Sequence, residues 1–448
     1  MSPFVTASVV FLNFDYRNIS FFYRNSTSLQ IRKLFIITFL HRSKMTITYS
    51  PPENVPLHEI LPPEPLLLMG AGPVPIPHAV AQANSVVINH LGETMNRVID
   101  RVKLMGMYTF QTDSNKVMGI AGPSSAAMEM GITNLLWKGR QALIIRNGTF
   151  SGRMGDMAKA IGADITILKA DDKTAISLEM VESALKKKKF DVVTMVQGET
   201  SCGVWNRELP KITKLCKRYG ALTIVDAVCT LSTMPLEMDN WQIDVAISGG
   251  QKGISTIPGV SLIAFSEEAW QTIEKRDSER VHWCLDALRT FQFWGHHEYH
   301  YTAPVPGILA MHEALRLICR ETLEERFYRH YTSSRALQKG ITAMGLSLFV
   351  PEEHRLNTVV AIDIPDGISA DNVRKTMADK FQVEISGAFG LNIIRIGQMG
   401  EQCRSHNLFK TLYAMGMSFQ QAGLKLKVSE GMAAMEKRLS EDPNRLVT

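Results

Sequence analysis

Chemistry in this sequence starts with an acid and an amine placed one strand apart. The apolar run Leu222-Thr-Ile-Val-Asp226 ends in a carboxylate, at the point where open α/β sheets gather their ligands. The next apolar run closes with Ser248-Gly-Gly-Gln251-Lys252-Gly253, again with its polar residues at the carboxyl end. A turn-capping Asp and a surface ion pair are the plain structural alternatives. An amine at a strand mouth can instead form a Schiff base with a carbonyl, and an acid beside it can hold a proton on a pyridine nitrogen. That pairing suggests a pyridoxal phosphate site.

Such a site needs an anion cradle upstream, and Ala121-Gly122-Pro123-Ser124-Ser125 supplies one between a strand and a helix. Small residues at a helix start offer backbone N–H groups and the positive end of the helix dipole to a phosphate. Simple N-capping by Ser124 is the structural alternative. Phe150, just past Gly148, has the place of an aromatic that stacks on a flat ring, or of a core plug. Gln197-Gly-Glu-Thr-Ser201-Cys-Gly203 ends a further strand in hydroxyls, plausible partners for a phenolic oxygen.

These residues have to be positioned by elements, and the apolar pattern indicates which. Strands are expected at Val117–Ala121, Ala142–Arg146, Ile165–Leu168, Val192–Val196, Leu222–Val225, Val245–Ser248 and Ser261–Ala264. Helical stretches at 124–137, 151–161, 177–189 and 207–219 alternate with the earlier ones. Alternation of this kind predicts an α/β fold with a mostly parallel sheet between helices. A smaller α+β unit should follow, with a helix near 325–343, runs Thr358–Ile364, Val383–Ser386 and Ile393–Ile396, and a long helix from 406.

Around this core the domains are expected as an extension (1–44), an N-terminal arm (45–75), a large domain (76–325) and a C-terminal α+β domain (326–448). Residues 1–44 hold one acid, Asp15, among several bases; they suit a start placed upstream of Met45 or a transit peptide. The localisation expected is cytoplasmic, or mitochondrial in the second case.

Composition narrows the field. A chain of 448 residues with 45% hydrophobic and 21% charged residues is neither disordered nor a small stapled scaffold. Six scattered cysteines without a CxxC pair argue against disulfide frames and zinc ribbons. The net charge of +5 is spread out, and the run Lys186–Lys189 reads as a solvated helix end, so neither nucleic acid nor membrane is expected as a partner. Gly70-Ala-Gly72-Pro lacks the third glycine, preceding strand and following helix of a dinucleotide loop. His296-His297-Glu298-Tyr299-His300 has ligand-like spacing but no second cluster, and reads as a polar loop.

The pieces GAGPVPIP (70–77), AGPSSAAME (121–129), RNGTFSGR (146–153), QGETSCG (197–203), IVDAV (224–228), SGGQKG (248–253), YHYTAPV (299–305) and IIRIGQMG (393–400) together resemble the class V, fold-type I aminotransferases of the alanine/serine–glyoxylate (serine–pyruvate) group. The resemblance implies a seven-stranded sheet and pyridoxal 5'-phosphate as cofactor. It implies Lys252 as the imine lysine, Asp226 under the pyridine nitrogen, Phe150 stacked on the ring and Ser201 bonded to it. Ser124, Ser125 and Gln251 match phosphate ligands, and Tyr299 and Thr302 match residues that reach the phosphate of the other subunit in a homodimer. Arg395 matches the clamp on the substrate α-carboxylate, and Gly72 a backbone contact near the substrate.

The activity implied is amino transfer from a small amino acid to glyoxylate or pyruvate. Ureidoglycine–glyoxylate and pyridoxamine–pyruvate aminotransferases are the nearer alternatives, and a cysteine desulfurase or lyase the more distant. A non-catalytic protein on the same scaffold would be expected to have lost the lysine. The extended, Pro-rich arm 66–75 is expected to cross to the partner subunit.

Overall fold

A computed structural model describes residues 52–441. The chain divides into two units, 1–63 and 64–448. In the first, the described part holds one exposed helical turn, Leu57–Ile60; the expectations for residues 1–44 lie outside the described residues.

The second unit is built on seven strands: β1 Val117–Ala121, β2 Gln141–Arg146, β3 Asp164–Lys169, β4 Val192–Val196, β5 Leu222–Asp226, β6 Val245–Gly249 and β7 Val260–Phe265. Their order in the sheet is β1-β7-β6-β5-β4-β2-β3. The central strands are buried along their whole length, the signature of a sheet covered on both faces, whereas β3 at the edge alternates with exposed positions. Only β7 is antiparallel to its neighbours. The segment 250–259 that joins it to β6 is too short for a helical crossover, so the chain must turn straight back. Because β7 reverses, β1 runs in the same sense as β6. Ala121, Arg146, Val196, Asp226 and Gly249 therefore all end at one edge of the sheet.

The helices of this part are α1 His78–Asn84, α2 Glu93–Phe110, α3 Ser124–Leu135, α4 Thr149–Ala160, α5 Leu178–Lys187, α6 Leu209–Arg218, α7 Glu267–Glu274, α8 Ala287–His296 and α9 Val305–Glu321. The four expected between the early strands are α3 to α6, each within a few residues of its reading. Lys186 and Lys187 fall in the last turn of α5, where positive side chains suit the helix dipole, and Lys186 pairs with Glu182 at 3.0 Å. Helices α1, α2, α7, α8 and α9 had no counterpart in the sequence reading. Glycine or proline stands just before α2 and α9, and neither has a side-chain cap to mark its start.

Beyond α9 come α10 Leu323–Met344, β8 Val359–Asp363, α11 Ala370–Phe381, β9 Ile393–Gly397, α12 Ser405–Gln421 and α13 Val428–Ser440, with β8 and β9 antiparallel. Among the described residues, the two largest of four hydrophobic clusters divide the unit. One runs in sequence from Val80 to Leu323; the other joins Met69 to Leu337, Ile362, Ile394, Phe419 and their neighbours. Among the described residues no helix is long and apolar enough to cross a membrane.

The arm overturns one expectation. Residues 66–75 do not leave their own subunit: Leu67–Leu68 pair in parallel with Val383–Glu384, Gly397 N–H donates to Met69 O at 2.7 Å, and Val74 N–H donates to Gln251 O at 3.2 Å. An extended segment has unpaired backbone groups along its length, and the small domain presents an edge that satisfies them. Gln402 adds donors to the carbonyls of Leu68 and Gly70, at 2.9 and 2.8 Å.

Candidate active site

The edge where these strands end collects most of the residues singled out above. Asp226 closes β5 with its side chain buried. Its Oδ1 accepts from Val228 N–H at 2.8 Å, and the carboxylate makes no other hydrogen bond to a described residue. Burial pushes its pKa from 3.8 up to about 7; the Val228 hydrogen bond opposes this, the negative charge of Glu199 adds to it, and Lys252 again opposes it.

Lys252 follows β6 in the reversing segment. Its ammonium donates to Ala71 O on the arm, and burial is the chief cause of a lowered pKa, with Arg395 and Arg153 acting in the same sense. Lowering favours the neutral amine, the nucleophilic form. Gly72 lies against this side chain: its φ of +102° suits glycine, and a Cβ there would come within 2.6 Å of Lys252 Cδ.

The cradle is built differently from simple capping. Pro123 occupies the cap position of α3, no side chain caps the helix, and Ser124 already lies in its first turn. Instead Ser124 Oγ accepts from Gln251 Nε2 at 2.9 Å, linking the loop after β1 to the loop after β6. Gln251 Oε1 and Ser248 Oγ are buried without a partner among the described residues. A helix start flanked by hydroxyls fits a bound phosphate, and Gln251 Nε2 keeps one hydrogen beyond the one it gives Ser124. Ser125 lies beside Ser124 in the same turn and makes no side-chain hydrogen bond to a described residue.

Opposite, α4 starts at the end of β2. Phe150 stands in its first turn, and the Arg153 guanidinium lies 4.7 Å from the centre of its ring. Ser201, in the turn after β4, donates to Glu199 Oε1 at 2.6 Å and accepts from Thr149 N–H at 3.0 Å. Arg395, on β9, is buried: Nε donates to Gly387 O at 2.8 Å, Nη1 to Thr200 O at 2.5 Å, and Nη2 also to Gly387 O. One donor remains on each terminal nitrogen, enough for a two-point grip on a carboxylate.

Two sequence candidates stay apart from this group within the chain. Tyr299 is 61% exposed with its ring 5.8 Å from His90, and Thr302 is exposed as well; neither makes a side-chain hydrogen bond to a described residue. Cys202 and Cys229 border the site, but burial raises each thiol to about 12, so neither is a thiolate nucleophile. In the histidine-rich segment His297 faces Asp100 at 2.8 Å and His300 faces the Trp283 carbonyl at 3.1 Å, in different directions.

Two residues escaped the sequence reading. Arg153 is three residues beyond Phe150, on the same face of α4, a spacing that could have exposed it. Glu199 sits in the QGETSCG run that was read only for its hydroxyls, yet its carboxylate is fully buried.

An amine beside a buried acid at the carboxyl edge of an α/β sheet, with a helix start alongside, defines a class of lysine-centred cofactor enzyme. The aminotransferase class-V family matches residues 78–409, and the chain belongs to it: it is a pyridoxal-phosphate-dependent transaminase of fold-type I architecture. It is 33% identical to an alanine–glyoxylate aminotransferase of Drosophila melanogaster, over 80% of this chain and 94% of that protein. Among solved structures, it is similar to ureidoglycine–glyoxylate aminotransferase from Bacillus subtilis, with a TM-score of 0.83, 29% identity, and coverage of 85% of this chain and 99% of that one. An alanine–glyoxylate aminotransferase from Nostoc sp. matches with a TM-score of 0.78 and 31% identity, over 83% of this chain and 97% of that one.

Proposed function

We propose that the protein transfers an amino group from a small amino acid of the alanine or serine type to a small 2-oxo acid, glyoxylate or pyruvate, in a ping-pong cycle with pyridoxal 5'-phosphate. The observation that carries this reading is the convergence of Lys252, Asp226, the start of α3 and Arg395 around one sheet edge. Bound there, pyridoxal 5'-phosphate would supply a carbonyl for the incoming amine and a ring that draws electrons from Cα.

The remaining work falls to side chains. Ser124, Ser125, Gln251 and the N–H groups of α3 would hold the phosphate, Phe150 would stack on the ring, and Ser201 would bond to its phenolic oxygen. Asp226, with an unshared oxygen and a buried charge that favours a cationic partner, would as a carboxylate hold a proton on the pyridine nitrogen. Lys252 Nζ would carry the proton between substrate Cα and the cofactor carbon that takes up the amine, in one direction for the donor and in reverse for the acceptor, a task suited to an amine of lowered pKa. Arg395 grips the α-carboxylate through its two remaining donors and thereby sets which Cα bond faces the ring. The backbone of Gly72 would contact the substrate, and its lack of a Cβ keeps the Lys252 side chain unobstructed.

The working unit in this reading is a homodimer in which Tyr299 and Thr302 reach the phosphate of the other subunit; their exposure supports it. The domain limits 76–325 and 326–448 are supported by the two separate hydrophobic clusters.

Donor and acceptor are tested with a panel of amino acids and 2-oxo acids on purified protein, including alanine, serine, ureidoglycine and pyridoxamine. Fastest turnover with alanine or serine and glyoxylate or pyruvate is expected. Preference for ureidoglycine would favour the second reading, which the solved Bacillus structure supports. Lys252→Ala should remain folded and lose turnover; substantial amino transfer by that variant, without added amine, would remove Lys252 from its role.

A further inference from the structure

Glu199 is fully buried, and its carboxylate receives five donors. Oε2 accepts from Ser151 N–H and Ser151 Oγ, both at 2.8 Å. Oε1 accepts from Phe150 N–H at 3.3 Å, Ser201 N–H at 3.1 Å and Ser201 Oγ at 2.6 Å. Three of these are backbone N–H groups that cannot rotate to become acceptors, and two belong to the first turn of α4, whose dipole favours an anion. Gly148 lies against the carboxylate side chain, and a Cβ there would collide with Ser201 Oγ and Glu199 Cγ. The residue after Glu199 is Thr200, whose carbonyl accepts from Arg395.

Helix capping alone would use one or two of these contacts and would have no bearing on Ser201 or Arg395. We infer that Glu199 is a positioning residue that, from inside the wall of the site, sets three working groups in register: the Ser201 hydroxyl, the Phe150 turn and, through Thr200 O, Arg395. The inference rests on the cofactor reading given above. Its mechanism is steric and electrostatic. One anion joins the start of α4 to the turn after β4, so the ring-stacking and ring-bonding groups move together. The same charge acts on Asp226 and on Arg395, favouring a proton on each. Ser201 Oγ–H is directed at Glu199, so the oxygen is held in place for a ligand to approach.

The test uses holoenzyme reconstituted with pyridoxal 5'-phosphate, wild type beside E199Q, E199D and K252A. Three readouts are taken: the visible absorbance of lysine-bound cofactor, the pH midpoint of that absorbance, and the affinity for 2-methylalanine, an amino acid with no Cα proton to lose. In E199Q an amide N–H₂ must face fixed N–H donors and the negative charge is gone. The affinity for 2-methylalanine should fall at least about tenfold, and the midpoint should move by about half a unit or more, because the Glu199 charge acts on Asp226 and Arg395, which in turn act on Lys252. E199D keeps the charge but is one methylene short; it should restore the midpoint and leave the affinity weakened. If E199Q does not fold, E199D carries the test alone, and unchanged affinity there overturns the proposal. Wild-type midpoint and wild-type affinity in E199Q overturn the positioning role while the cofactor reading stands. A visible band in K252A equal to that of wild type overturns the cofactor reading, and the Glu199 role with it.

Discussion

Asp226 shows how a single buried carboxylate ties stability to chemistry. Its pKa in the folded chain is about 7 against an ordinary 3.8, so between those values the folded state holds a proton that the unfolded state has released. Stability from this group therefore falls as pH rises from about 4 to 7 and is level above that. Asp226→Asn removes the penalty. In cofactor-free protein the melting temperature of the variant minus that of wild type should grow as pH is raised from 4 to 8. With pyridoxal 5'-phosphate bound, the carboxylate has a cationic partner and the advantage of Asn should vanish or reverse. Turnover should fall on the order of 10²-fold or more, since a neutral amide stabilises ring charge poorly. A melting difference independent of pH would show that Asp226 does not carry the shifted proton.

At the scale of elements, the join between α9 and α10 connects the Lys252 loop to the turn that follows β9. Arg326 donates to Gly253 O at 2.8 Å and to Ser232 Oγ at 3.2 Å, and pairs with Glu321 at 2.9 Å. Arg329 pairs with the same Glu321 and donates to Gly400 O at 2.8 Å, and His330 Nε2 accepts from Gly400 N–H at 2.9 Å. Burial opposes ionisation of Glu321, but Arg329 and Arg326 hold its pKa down to about 2. The stability it contributes is present above its ordinary 4.5 and is lost as pH falls toward 2. Arg326→Met removes one of the two guanidinium partners of Glu321 and one of the two donors to Gly253 O, leaving Arg329 and Ser232, and should cost about 1.5–3 kcal/mol, read by chemical denaturation at pH 7. The cost should shrink as the pH is lowered from 4.5, where Glu321 begins to lose its charge in the unfolded chain. A cost below about 1 kcal/mol at pH 7 would mean the loop is held by its backbone contacts alone.

Assembly is the question at the scale of the whole molecule. The phosphate cradle within one chain is assembled from hydroxyls, the Gln251 amide and helix N–H groups, while Tyr299 and Thr302 stand exposed elsewhere. If they complete the neighbouring site, cofactor retention and dimerisation must be coupled. Tyr299→Phe with Thr302→Val should weaken pyridoxal 5'-phosphate binding several-fold without lowering the melting temperature of the chain, and dilution of wild type through its dimer equilibrium should release cofactor. Sedimentation alongside cofactor titration reads both. A monomer that retains the cofactor as tightly as the dimer would confine the site to one chain.

The sequence by itself determined the parts that depend on local pattern. The seven apolar runs, the helices between the early strands, and the polar residues after each strand were legible because strand burial and turn chemistry are written in consecutive residues. Lys252 and Asp226 were legible as candidates because an amine and an acid at successive strand ends are rare by chance. Tertiary structure decided the rest. It showed that β7 reverses, which brings β1 and its Ser124 to the same edge as Gln251. It kept the arm on its own subunit, because the edge that accepts Leu67–Leu68 is formed by residues more than three hundred positions away. Glu199 was in plain view in a motif, but its meaning lay in donors from Phe150 and Ser151, about fifty residues earlier, and no spacing along the chain records a contact made by folding.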